Sequence, residues 1–201
     1  MSSWPVALTG DLPTGRAQRA MVQGQDLVVW RSASGKLSAW DNRCPHRGMA
    51  LSHGFVRGER LACLYHGWHY DCQSAACAYI PAHPDLTPPE TIRARAFSVV
   101  EDGGVIWVSL DVEASAQVNT RGLLPVRSLL IRAEPGAVEA AAGELFGQHC
   151  LLLNPWGEHE TLVHLLAAIG STLEQLQGLA ERCDHLRQLA EQGGGRLHER
   201  A

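Results

Sequence analysis

Two short stretches decide the fold: Cys44-Pro45-His46-Arg47-Gly48 and Cys63-Leu64-Tyr65-His66-Gly67-Trp68, with sixteen residues between His46 and Cys63. Each offers one thiolate and one imidazole, as Cys-x-His and then Cys-x-x-His. Two thiolates and two imidazoles can hold a tetrahedral zinc. They can also hold a [2Fe-2S] cluster in which two histidines replace two cysteines on one iron. Buried cysteines beside surface histidines would not need two matched half-sites. Zinc fingers commonly place both thiolates on one knuckle and both histidines on a helix. Here each knuckle supplies one of each, and both lie between strand-like segments. That favours the cluster, with Cys44 and Cys63 on one iron and His46 and His66 on the other. Gly48 and Gly67 let the backbone approach sulfur closely, and Pro45 stiffens the first loop.

Outward from the knuckles, the pattern to about Asp111 is one of short strands and tight turns. Leu27–Trp30 is apolar, Ser34-Gly35 turns, and Lys36–Trp40 alternates. Phe55-Val56 and Arg60–Cys63 flank Gly58. Phe97–Val100 and Val105–Val108 flank Glu101-Asp-Gly-Gly104, a hairpin signal. No helical periodicity intervenes. Residues 1–111 therefore read as a small antiparallel β domain and 112–126 as a linker.

Residues 127–201 change character. Ser128–Arg132, His149–Leu153 and Thr161–Leu166 read as strands. Pro135 opens a helix to about Phe146, closed by Gly147. Ser171 caps a last helix with Glu174 as its capping-box partner. Leu173, Leu176, Ala180, Cys183, Leu186 and Leu189 or Ala190 share its apolar face, and Gly193-Gly-Gly195 ends it. The expectation is a small α+β unit of order βαββα. Charge divides at the same place. Residues 1–111 hold ten basic and ten acidic side chains, and residues 112–201 hold seven and eleven.

The 201 residues and 45% hydrophobic content suit a folded core, and a net charge of −4 gives no broad basic field for nucleic acid. The N-terminus is too polar for a signal peptide, and no apolar run reaches membrane-span length. A cytoplasmic protein is expected, its six cysteines thiols or metal ligands rather than disulfides. Cys72 and Cys77 read as packed small residues, as do Cys150 and Cys183.

"CPHRGMALSHG" and "CLYHGWHYD" resemble the Rieske iron–sulfur proteins, in particular the N-terminal domain of ring-hydroxylating and demethylating Rieske oxygenases. The likeness runs from Trp4 to about Leu110 and includes "WPVAL", "IPA" at Ile80–Ala82 and "GVIWVSL". It implies a mainly β fold, an antiparallel sandwich of three small sheets with the cluster at one tip. It also implies one [2Fe-2S] cluster on Cys44, His46, Cys63 and His66. The respiratory branch of the family carries two more cysteines, in a disulfide, where this chain has Met49 and Tyr65. It also has a serine, bonding a cluster sulfur, where this chain has Trp68. Fewer bonds to sulfur imply a potential toward the lower end of the Rieske range, about −150 to +300 mV. Arg47, beside a ligand, reads first as a loop brace and second as a contact for a partner carboxylate.

In "GEHETLVH" the spacing His159-x-x-x-x-His164 occurs in the catalytic-iron site of Rieske oxygenases. The aspartate usual three residues earlier is Trp156 here, and a third ligand has no obvious source. The resulting expectation is a one-electron carrier or oxygenase subunit, an oxidoreductase component with no catalytic residue of its own. It would take electrons from a reductase or ferredoxin and pass them to an oxygenase iron site or subunit. Nucleic acid and membrane are not expected partners, and a homo- or hetero-oligomer is compatible with the sequence. The alternatives are a short but complete non-haem-iron oxygenase using His159 and His164, or a cluster-bearing structural or sensor subunit.

Overall fold

The computed structural model describes residues 3–111, 113–146 and 150–198. The fold is mainly β and antiparallel, as expected. Ten strands precede residue 111: β1 Trp4–Leu8, β2 Arg16–Val22, β3 Gln25–Arg31, β4 Leu37–Asp41, β5 Phe55–Arg57, β6 Arg60–Ala62, β7 His69–Asp71, β8 Cys77–Tyr79, β9 Ala96–Asp102 and β10 Val105–Ser109. One six-stranded sheet has the order β1-β10-β9-β4-β3-β2, and a four-stranded meander has the order β5-β6-β7-β8. Two of the hairpins turn on residue pairs with both φ positive. These are Gln23-Gly24 (51° and 79°) and Gly103-Gly104 (59° and 79°), matching the twist of antiparallel strands. A Cβ at Gly103 would lie 2.0 Å from the Thr120 hydroxyl, so that turn has no room for a side chain.

After Gly122 the elements are β11 Leu123–Ile131, α1 Pro135–Leu145, β12 Cys150–Pro155, β13 Thr161–Ala168 and α2 Leu173–His198, the βαββα order. The helix-closing Gly147 and the first residue of the expected second strand, His149, lie outside the described residues. The three-stranded sheet runs β11-β13-β12, with β13 central. The described residues fall into two compact units. One is built chiefly of Leu12–Val100. The other holds Trp4–Asp11, Glu101–Trp107 and the stretch from Ala116 onward.

The first unit's core contains Val28, Trp30, Trp40, Leu51, Leu61 and Tyr70, together with Cys44, Cys63 and Cys77. Trp30 and Trp40 meet edge-on with ring centroids 5.0 Å apart. Each buried ring of this kind contributes about 1.5–3 kcal/mol by leaving water. In the second unit Leu179, Cys183, Leu186 and Ala190 of α2 pack with Ile131, Val163 and Leu165. The stripe differs from the expected face at its start, because Leu173 is 72% exposed and Leu179 takes its place. The cap also moves one residue on. The Thr172 hydroxyl accepts from the Gln175 amide at 3.3 Å, and the Gln175 side chain accepts from the Thr172 amide at 2.8 Å. That is a reciprocal capping box on Thr172 and Gln175 rather than on Ser171 and Glu174. Nor does Gly193-Gly-Gly195 end α2, which runs to His198. Glycines lower helix propensity, but the common glycine stop needs a left-handed conformation, and a glycine that stays helical continues the helix. Arg127 of β11 ties α2 down through the Ala180 carbonyl (3.2 Å) and the Asp184 carboxylate (3.1 and 3.2 Å).

Candidate metal centre

β4 feeds the first knuckle and β6 feeds the second. The two loops share one hydrogen-bond frame. Cys44 N–H donates to the Met49 carbonyl (2.8 Å) and Gly48 N–H to the Cys44 carbonyl (2.8 Å). Cys63 N–H donates to the Trp68 carbonyl (2.9 Å) and Gly67 N–H to the Cys63 carbonyl (3.0 Å). Both loops close through a left-handed glycine, with φ +75° at Gly48 and +67° at Gly67. A Cβ on Gly67 would also press on Pro81 at 3.1 Å. The unequal spacings, Cys-x-His and Cys-x-x-His, are thus two placements of histidine on equivalent frames.

The structure brings the four expected residues together as two pairs, Cys44 with Cys63 and His46 with His66. Cys44 and Cys63 are each 3% exposed, at the edge of the core. Outside them the His46 and His66 rings lie edge to face, centroids 4.8 Å apart. Burial pushes the Cys63 thiol above its ordinary value, and the neighbouring Cys44 adds to this. Hydrogen bonds from the Tyr65 and His66 backbone amides pull it back. A thiol that burial disfavours as an anion, beside a second thiol and with amides on its sulfur, suits a cationic centre that would neutralise both sulfurs. Burial, then the charges of His66 and Arg47, push the His46 imidazole below its ordinary value. The shift favours the neutral ring, the state that ligates metal. Two inner thiols and two outer imidazoles would fit the mixed cysteine and histidine ligand set of a [2Fe-2S] cluster.

Three supports escaped the sequence reading. Tyr70, fully buried, sets its hydroxyl 3.1 Å from the Cys44 sulfur. Burial and that contact push its phenol far above the ordinary value, so it stays protonated and can donate to a thiolate at Cys44. Asn42, 2% exposed, staples the base of the first loop. It donates to Asp26 at 3.1 Å and accepts from Ser52 N–H at 2.8 Å. Aromatic rings flank both histidines. Trp68 stacks on His46 (centroids 4.0 Å, planes 6° apart), and Tyr65 tilts over His66 (3.9 Å, 32°). The period-two pattern of β7, with Tyr70 between His69 and Asp71, was the available signal for an inward tyrosine. Arg47 is exposed and makes no ion pair among the described residues, so it does not brace the loop by a salt bridge.

His159 and His164 are not brought to one point. His164, fully buried on β13, has Nδ1 2.7 Å from the Ser128 hydroxyl and Nε2 3.3 Å from the Pro5 carbonyl. The Ser128 hydroxyl also bonds the Asp11 carboxylate. Burial pushes the His164 imidazole down to about 4, against the pull of the Pro5 carbonyl and Asp11. His159 is largely exposed in the turn before β13, 3.3 Å from Glu134. Cys72 lies 3.6 Å from Glu59, and Cys77 and Cys183 are packed in cores; all five cysteines with described side chains are free thiols. The Cys150 side chain lies outside the described residues. Among the described residues no helix is long and apolar enough to cross a membrane.

Comparison with known proteins agrees with this geometry. Residues 2–93 match the Rieske [2Fe-2S] domain family. The chain is 43% identical over 111 residues to the oxidoreductase NdmD of Pseudomonas putida, covering 55% of this chain and 19% of that protein. It is 39% identical over 107 residues to the 4beta-methylsterol monooxygenase of Methylococcus capsulatus, covering 51% of this chain and 28% of that protein. The chain thus spans less than a third of these relatives. The fold is similar to that of apo dicamba monooxygenase (TM-score 0.80, 15% identity, 97% of this chain and 86% of that one). It is also similar to NdmB of Pseudomonas putida CBB5 (TM-score 0.73, 16% identity, 94% and 81%). Residues 2–93 are a Rieske [2Fe-2S] domain, and such a domain implies one [2Fe-2S] cluster.

Proposed function

We propose that Cys44, His46, Cys63 and His66 hold the cluster and that the protein is a one-electron carrier of a Rieske oxygenase system in the cytoplasm. The observation that supports this most is the nested pairing. Two buried thiols lie at the core edge, and two imidazoles 4.8 Å apart lie outside them at the end of matched loops. When bound, the cluster supplies reversible one-electron chemistry. The chain's own part is to hold it. The thiols sit behind core packing, Tyr70 and the Tyr65 and His66 amides donate to sulfur, and the histidine pair faces outward toward a partner. The electron donor is read as a reductase or ferredoxin and the acceptor as the iron site of an oxygenase, with a potential toward the lower Rieske range. An EPR spectrum of the reduced protein, with iron and sulfide analysis, tests the ligand set. Two irons and two sulfides per chain are expected, with two-nitrogen ligation, and His46→Cys is expected to disturb the spectrum or lose the cluster. An unchanged spectrum overturns the assignment.

A second reading, a self-contained oxygenase using His159 and His164, draws support from fold likeness to dicamba monooxygenase over nearly the whole chain. The ties of His164 to Ser128 and Pro5 weigh against it. Three irons per chain would favour it.

A further inference from the structure

The two outer histidines have unequal surroundings. Tyr65, over His66, is 61% exposed, so its ring rides at the surface. Trp68 packs against the buried core of the first unit, and its carbonyl closes the second knuckle by accepting from Cys63 N–H at 2.9 Å. Its indole is therefore held from behind while its face meets the His46 ring at 4.0 Å, within 6° of parallel. The His46 and His66 rings meet at 63° with centroids 4.8 Å apart. Two ring contacts at different angles leave the His46 plane little freedom to rotate. The contact also crosses between loops, because Trp68 belongs to the second knuckle and His46 to the first.

We propose that Trp68 is a positioning residue for His46, fixing the plane of the imidazole and lowering the potential of the cluster. This rests on the ligand reading above. An imidazole bound to a cation is electron-poor, and the face of an indole is electron-rich, so the stack favours the more positive, oxidised state. The indole also keeps water from one face of the ring. Two thiolates balance the charge of the oxidised centre, so reduction leaves net negative charge, which water would stabilise. Both effects act in one direction, and loss of the indole raises the potential. A cation–π contribution of about 0.5–1 kcal/mol corresponds to an about two- to fivefold shift in the reduction equilibrium. At 59 mV per tenfold for one electron, that is about 20–40 mV.

The test compares wild type, Trp68→Phe and Trp68→Leu by redox titration and by pulsed EPR of the two nitrogen couplings. Trp68→Phe retains an aromatic face and is expected to stay near wild type. Trp68→Leu is expected to broaden one nitrogen coupling and move the equilibrium about two- to fivefold toward reduction. Wild-type couplings and potential in Trp68→Leu overturn the proposal. Wild-type protein without two-nitrogen ligation overturns the ligand reading instead. Should Trp68→Leu fail to retain a cluster, NMR of the cluster-free wild type decides. Nuclear Overhauser contacts between the Trp68 and His46 ring protons are expected, and their absence overturns the stack.

Discussion

His46 and His66 come from different loops, with two residues of one knuckle and three of the other setting their places, yet their rings lie 4.8 Å apart. His159 and His164 come from one short stretch with a suggestive spacing, yet each is engaged separately, one by Glu134 and the other by Ser128 and Pro5. The difference is one of support. The first pair stands on two equivalent hydrogen-bonded frames that aim both rings the same way. The second pair spans a turn and a strand, and the strand buries one of its members. A spacing therefore announces a site only when the local backbone makes the side chains converge.

Removing a member of each pair has very different expected consequences. Cys63→Ser or His66→Ala is expected to abolish the cluster's visible absorbance and EPR signal. A cluster that survives either change with its spectrum intact would show that the first pair does not hold it. His164→Ala is expected to keep two irons per chain and to lose about 3–4 kcal/mol of stability in denaturant unfolding. It opens a cavity and strips Ser128 and Pro5 of a buried partner. His159→Ala, at an exposed turn, should change stability by less than about 0.5 kcal/mol. Loss of a third iron in either variant would reverse the roles given to the two pairs.

The knuckles were legible because everything that makes them is local: cysteine, histidine and a left-handed glycine within six residues. The strands near them and the βαββα order were legible for the same reason. Strand order was not, since β4 pairs on its other side with β9, where Ala39 meets Phe97 across distant sequence. The capping box slipped by one residue because Ser171 with Glu174 and Thr172 with Gln175 carry the same signal. The side-chain exchange between Thr172 and Gln175 decides between them. Within the centre, the four candidate ligands were readable, but Tyr70 was not. Its hydroxyl meets a sulfur 26 residues earlier in the chain, a contact that only the folded core creates.

The buried histidine of the second pair also ties stability to pH. His164 has its folded value pushed down to about 4 by burial, below the ordinary 6.5 of the unfolded chain. Between those values the unfolded state binds the extra proton, so folding stability falls as pH drops. The contribution is fully present above about 6.5 and is lost progressively toward about 4, amounting to about 3 kcal/mol. Unfolding measured at pH 7 and pH 5 should show this slope in the wild type and a flatter one in His164→Gln, which keeps polar contacts but cannot titrate. Equal slopes would mean that His164 is not buried in its neutral form.

An effect far smaller than loss of the cluster lies inside the first pair's support. Tyr70→Phe removes only an oxygen, so the core that contains Trp40, Leu61 and the two thiols should stay filled. What disappears is the donor to the Cys44 sulfur. A hydrogen bond to a sulfur ligand stabilises the reduced, more negative centre, so its loss lowers the potential. One such bond at about 1 kcal/mol corresponds to about 40 mV. The direction is opposite to that expected for Trp68→Leu, although both changes touch the same centre. Tyr70 acts on an inner sulfur by donating a hydrogen bond, and Trp68 acts on an outer ring by offering electron density. A Tyr70→Phe potential equal to or above wild type would show that the hydroxyl does not donate to sulfur in the loaded protein. The low-lying potential expected from Trp68 is thus a balance. The second knuckle and the strand that follows it supply both weights, within three residues of each other.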